Sequence, residues 1–167
     1  SGSLNGGQTI TISGNGFPVT ASLVAVAVGS SPCSVVSVSP GSIQCVTSPC
    51  TGDCSILAVS IGDNTVQSAE FSQTLASSPL VESISPVGDT LVVTGSGFGS
   101  HPSVQLGSEL CPTETVSSSE IQCVLPKLPA GDYSLLVINP STGNSNTDII
   151  FTSSIQLNQV TPTSGSF

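Results

Sequence analysis

The sequence predicts an all-β chain built from two tandem β-sandwich modules, and three observations carry that expectation. Apolar and polar residues alternate with a period of two along most of the chain, and no segment keeps a helical period. Gly, Pro, Ser and Asn clusters interrupt the alternation roughly every 8–12 residues, the punctuation of a sandwich. The pattern also occurs twice: Gly14-Asn15-Gly16-Phe17, Val28-Gly29, Cys33 and Ile43-Gln44-Cys45-Val46 return as Gly95-Ser96-Gly97-Phe98, Leu106-Gly107, Cys111 and Ile121-Gln122-Cys123-Val124, at an offset near eighty residues. Self-similarity at a fixed offset marks one module used repeatedly.

In the first copy the expected strands are Gln8 to Ser13, Leu23 to Val28, Cys33 to Val38, Ser42 to Val46, Ser55 to Ile61 and Val66 to Phe71. In the second they are Asp89 to Thr94, Ser103 to Leu106, Thr113 to Val116, Ile121 to Leu125, Tyr133 to Ile138 and Thr147 to Phe151. Ser77-Ser78-Pro79 reads as the joint, which divides the chain into modules 1–78 and 79–154. The second copy has an opening strand, Leu80 to Ser85, that the first lacks; its counterpart, Ile155 to Thr161, stands at the other end of the chain. Gln159-Val160-Thr161-Pro162 parallels Ser83-Ile84-Ser85-Pro86, and Ser164-Gly165-Ser166-Phe167 repeats Ser1-Gly2-Ser3-Leu4, so the chain reads as one period of something longer. Residues 155–167 are then the opening strand and turn of a following module, or a donor strand for a neighbouring chain. A sandwich without that strand leaves unpaired N–H and C=O groups beside exposed apolar side chains, and Ile155, Leu157, Val160 and Pro162 are the candidate contacts that complete it, from an adjacent module or another copy.

Composition narrows the function. One Lys+Arg against ten Asp+Glu gives a net charge of -9, which repels nucleic acid and anionic membrane surfaces. No apolar run is long enough to cross a bilayer. The polar surface is made of hydroxyls, 33 Ser and 16 Thr, which suits O-glycosylation; Ser77, Ser78, Thr161 and Thr163, beside Pro79 and Pro162, are the candidate carriers, against a reading as unmodified linker residues. No N-glycosylation sequon with a permitted middle residue occurs.

The glycine turns, the aromatic after each turn, and the paired cysteines resemble the IPT/TIG family of immunoglobulin-like modules. The resemblance is carried by Gly6-Gly7, Gly14, Gly16, Phe17, Gly29, Cys33 and Cys45, and again by Pro86, Gly95, Gly97, Phe98, Gly107, Cys111 and Cys123. It implies two immunoglobulin-like (IPT/TIG) β-sandwiches of the tandem extracellular type found in fibrocystin-like proteins, with plexin-like ectodomains more distant. The family's DNA-binding branch is a poor fit, for want of basic loops.

Six cysteines, even in number and regular in spacing, point to an oxidising compartment. The twelve-residue separation shared by Cys33–Cys45 and Cys111–Cys123 suggests those pairs, and leaves Cys50–Cys54 by elimination. Metal binding at Cys50-Thr51-Gly52-Asp53-Cys54 is the rival reading, but tetrahedral zinc needs a second such element and no His is near in sequence. Gly95-Ser96-Gly97-Phe98-Gly99 looks like a nucleotide loop yet leads into a strand, so it lacks the helix N-terminus that cradles phosphate. The sole His, His101, sits on a predicted loop, and the carboxylates are dispersed, so no acid–base relay can be assembled. No metal or cofactor is expected.

These readings favour a non-catalytic, secreted or cell-surface structural protein whose modules join head to tail into a fibre, filament or stalk, with copies of itself or adjacent modules as partners. A ligand-binding or adhesion segment of a receptor ectodomain, contacting glycans or cell-surface proteins, is the alternative. An accessory module of a secreted carbohydrate-active enzyme is a third.

Overall fold

The computed structural model describes residues 1–155, nearly all of them in strands, turns and short connections. In the first half β1 (Gly2–Ser3), β2 (Thr9–Ser13), β3 (Val24–Val28), β4 (Ser31–Ser39), β5 (Ser42–Thr47), β6 (Leu57–Ile61), β7 (Asn64–Ser68) and β8 (Gln73–Thr74) follow one another, with short 3-10 turns at Ala21–Leu23 and Leu75–Ser77. In the second come β9 (Leu80–Val87), β10 (Thr90–Ser96), β11 (Ser103–Leu106), β12 (Glu109–Cys111), β13 (Thr113–Val116), β14 (Glu120–Val124), β15 (Gly131–Asn139), β16 (Gly143–Asn144) and β17 (Ile150–Ser153).

The second sandwich is closed. One layer has the order β13-β14-β10-β9, and the other β12-β11-β15-β16, with β17 also on β15. Alternation puts Leu91, Val93, Val104, Leu106, Ile121, Leu135 and Val137 between the layers, and each is fully buried. Phe98, after its glycine turn, plugs the end of that core at 0% exposure. Pro112 has no N–H to give a ladder, so the chain breaks there and passes from one layer to the other as β12 and β13.

The first sandwich uses the same plan with a continuous crossing strand. β4 pairs with β3 through Ser31–Cys33 and with β5 through Cys33–Ser39, bulging between Val35 and Ser37, so the ladder runs β2-β5-β4-β3-β6-β7. Its core is Ile10, Val24, Val26, Val28, Ile43 and Leu57 with Cys33 and Cys45.

Several boundaries differ from the sequence reading. β7 begins at Asn64 rather than Val66, because Gly62-Asp63 closes a tight hairpin and Ile61 pairs directly with Asn64. The strand expected over Thr147 to Phe151 is displaced to Ile150–Ser153, because the Asn146 side chain pulls the chain out of the ladder to bond β9. The first module does have a short strand ahead of β2, but β1 pairs in parallel with β8 and not with β2. The expected opening strand of Ile155 to Thr161 lies, beyond Ile155, outside the described residues.

Candidate interaction site

One difference between the two sandwiches, at the outer edge of β2, marks the candidate site. In the second, β9 runs antiparallel to β10, with Leu91 opposite Pro86, Val92 opposite Ser85, Val93 opposite Ile84 and Gly95 opposite Val81. Val81 is buried and Ile84 packs against the core. The Asn146 amide grips this strand from the opposite layer: Oδ1 accepts from Val81 N–H at 2.7 Å, and Nδ2 donates to Val81 C=O at 3.1 Å.

In the first, β2 pairs with β5 and, among the described residues, has no strand on its other side. Gly14 N–H bonds Gly41 O, and Ile10 and Ile12 share that phase, so alternation turns the N–H and C=O of Thr9, Thr11 and Ser13 to the open side. Thr9 N–H bonds Pro140 O at 2.9 Å in the other module. Beside this edge a groove of about 750 Å³ opens between β2 and the layer of β6 and β7, walled by Ile12, Phe17, Val59, Ile61 and Phe71. The residues equivalent by pairing register make the contrast: Ile12, Phe17 and Val59 are half-buried where Val93, Phe98 and Val137 are fully buried.

Glycines record the same difference. A Cβ on Gly95 would lie 2.0 Å from Leu80 O, so that glycine is required by the passage of β9. Gly14 holds the matching position on β2. A Cβ on Gly97 would face Pro79 at 3.4 Å, whereas one on its counterpart Gly16 would meet nothing within 4 Å.

A second feature joins the modules. Asn144 N–H donates to Gly6 O at 2.7 Å, Ser3 Oγ–H to Asn144 O at 2.8 Å and Gln8 Nε2–H to Ser141 O at 2.8 Å, alongside the Thr9–Pro140 bond. Gln73 Nε2, buried, donates to Ser3 O at 2.6 Å and so ties this patch to the first module. Gln8 Oε1, Gln73 Oε1 and Asn144 Oδ1 are buried without a partner among the described residues. Each such oxygen costs about 1–3 kcal/mol against about 1 kcal/mol gained per hydrogen bond made, so the joint sets orientation more than it adds stability. Sequence reasoning missed these residues, since isolated Ser, Gln and Asn in turns carry no pattern.

The cysteines form three disulfides: Cys33–Cys45, Cys50–Cys54 and Cys111–Cys123. The first and third staple one layer to the other where the chain crosses between them. Asp53, in the small Cys50–Cys54 loop, has its carboxyl held below the usual range, first by the Ser55 hydroxyl at 2.5 Å and then by Ser55 N–H. Ser78 Oγ accepts from Leu4 N–H and donates to Thr74 O, while Ser77 Oγ bonds Ser1 and Thr74, so both hydroxyls are engaged in the linker. Ile155 is 79% exposed. Leu157, Val160, Thr161, Pro162 and Thr163 lie outside the described residues. His101 is exposed and meets Ser100 through Nδ1. No His/Cys/Asp/Glu group among the described residues is placed to hold a metal ion, and none of their helices is long and apolar enough to cross a membrane.

Two stapled sandwiches, each with a glycine turn and an aromatic plug at one end, define a tandem of immunoglobulin-like modules. The profile of the IPT/TIG domain matches residues 1–78 and again 77–153, and the chain belongs to that family. It is similar to human fibrocystin-L, 27% identical over 176 residues and covering all of this chain, and to dog fibrocystin, 27% identical over 165 residues and covering 98% of it. In each case the chain spans about 4% of the relative's length. Its fold is also that of part of the full extracellular region of plexin A4, with a TM-score of 0.56 at 19% identity, covering 93% of this chain and 15% of that one. Three disulfides and the likeness to fibrocystin-L make this an extracellular or cell-surface segment.

Proposed function

We propose that the chain is a non-catalytic structural segment whose IPT/TIG modules, divided at 78/79 and 154/155, stack head to tail into a stalk or filament. The observation that carries this reading is the hydrogen-bonded joint. A flexible tether would leave the backbone of Gly6 and Thr9 to water; here both bond to the Pro140–Asn144 turn of the next module. Repeating one joint with a fixed orientation turns modules into a rod. The surface suits the role, since hydroxyls and a net negative charge keep a long array soluble and unattractive to nucleic acid. The likeness to fibrocystin-L and fibrocystin supports a closely related reading, in which the rod is a spacer within a long receptor ectodomain.

Small-angle scattering tests the joint. The 167-residue chain should scatter as one elongated particle, and combining Ser3→Ala with Gln8→Ala, which removes the two side-chain donors that cross the joint, should broaden its distance distribution without unfolding either module. Modules that already tumble independently in the unaltered chain would overturn the reading.

A further inference from the structure

We infer that the open edge of β2 is a strand-accepting site, and that its occupant is the segment Gln156 to Pro162 of a second copy of this chain. The inference rests on the head-to-tail reading and gives it a mechanism. The molecule holds its own precedent, because β9 fills the equivalent site in the second module, with Val81 and Ile84 inserted against the core and its backbone on β10.

The sequence of the occupant fits. Matching Pro162 to Pro86 sets Thr161 on Ser85, Val160 on Ile84 and Leu157 on Val81. The apolar residues fall where β9 inserts its own, and the residues between them are polar. Transferred to β2, this register puts Pro162 opposite Ile10, Thr161 opposite Thr11, Val160 opposite Ile12 and Leu157 opposite Gly14. A proline opposite Ile10 costs nothing, because Ile10 directs its hydrogen bonds to β5 and the missing N–H falls where no acceptor faces it. Gly14, without a Cβ, leaves room for the passing carbonyl, as Gly95 does for Leu80 O.

Geometry selects a second copy over the chain's own tail. β17 ends at Ser153 opposite Gly131, at the start of β15, whereas the joint lies beyond Asn139 at its end. Nine residues of strand separate the two, about 30 Å. Because the occupant runs antiparallel to β2, it enters at the Gly14 end, a further 17 Å or so past the joint. The residues from Ser153 to Gln156 reach only about 10 Å when fully extended. A chain cannot fill its own groove, but its tail can fill that of the next. The donor and acceptor surfaces differ, so the contact is heterologous and propagates as an open polymer instead of closing as a pair.

The test is sedimentation of the full 167-residue chain over a wide concentration range, beside the double variant Leu157→Asp with Val160→Asp. Both changes follow the second family match in sequence, so each module should retain its fold. The unaltered chain should form species heavier than its 16.6 kDa monomer in growing proportion as concentration rises, the double variant should lose all of them, and a synthetic peptide of residues 155–163 in excess should return the unaltered chain to monomer. A chain that stays monomeric at the highest concentration, or a double variant that assembles like the unaltered chain, overturns the inference. A monomer that still scatters as a stiff rod would defeat the strand exchange and leave the stalk reading standing. A chain that assembles through its tail while its modules flex freely would defeat the stalk alone.

Discussion

Replacing Phe98 and Phe17 by Ala, one at a time, gives an internal comparison of the closed and the open sandwich. The two rings follow the same turn in the two modules and differ chiefly in what covers them. Phe98 is fully buried against a complete core that includes Val81 of β9, so its truncation should cost about 3–5 kcal/mol from lost burial plus the cavity left behind. Phe17 is half-buried beside the groove, where solvent already reaches one face and the vacated space opens outward. Its truncation should cost about half as much, roughly 1.5–2.5 kcal/mol, since both burial and cavity terms shrink. The assay is urea unfolding at low protein concentration, with disulfides intact, followed through the amide signals of Ile43 and Ile121, one in each core. Equal losses for the two variants would refute the reasoning, because they would mean that the groove beside Phe17 is already covered.

Further outcomes follow from the same contacts. Replacing Cys111 and Cys123 together by Ala should destabilise the second module by about 3 kcal/mol, since the bridge closes a loop of about thirteen residues; calorimetry under oxidising conditions reads this directly. Gly95→Ala should cost several times more than Gly16→Ala, because the first drives a methyl into Leu80 O whereas the second meets open space and bears only the strain of a φ of +79°, about 1 kcal/mol; denaturant midpoints rank them. Asp53 should titrate below the ordinary aspartate value of 3.8, and Ser55→Ala should raise its midpoint towards that value in a carboxyl-carbon NMR titration. The sign follows from linkage: a folded-state pKa lower than the unfolded one gives a contribution that is complete above the unfolded value and disappears as pH falls through the folded one.

Much of the fold was legible because its determinants are local. Alternation marks strands directly, and Ile121-Gln122-Cys123 shows its inward and outward faces in three letters. The glycine turns were legible because a close backbone approach admits only glycine, as at Gly95. The short pieces were not. β1 and β8 have two residues each and are fixed by partners far away in sequence, such as Gln73 on Ser3. The displacement of β17 was hidden for a similar reason, since nothing near Asn146 announces that its amide grips Val81. The open edge could be suspected from strand counts in the two copies, but its apolar wall could not, because Phe71 and Val59 meet Phe17 only after the layers pack.

Amide hydrogen exchange at Thr11 and Ser13 tests the open edge most directly, against Val92 and Thr94 as their counterparts on β10. At low concentration Thr11 and Ser13 should exchange nearly as fast as exposed loop amides while Val92 and Thr94 stay protected by β9; raising the concentration, or adding the 155–163 peptide, should slow the first pair towards the second. Thr11 and Ser13 amides as protected as Val92 and Thr94 in the dilute monomer would contradict the account, since the edge of β2 would then already be paired.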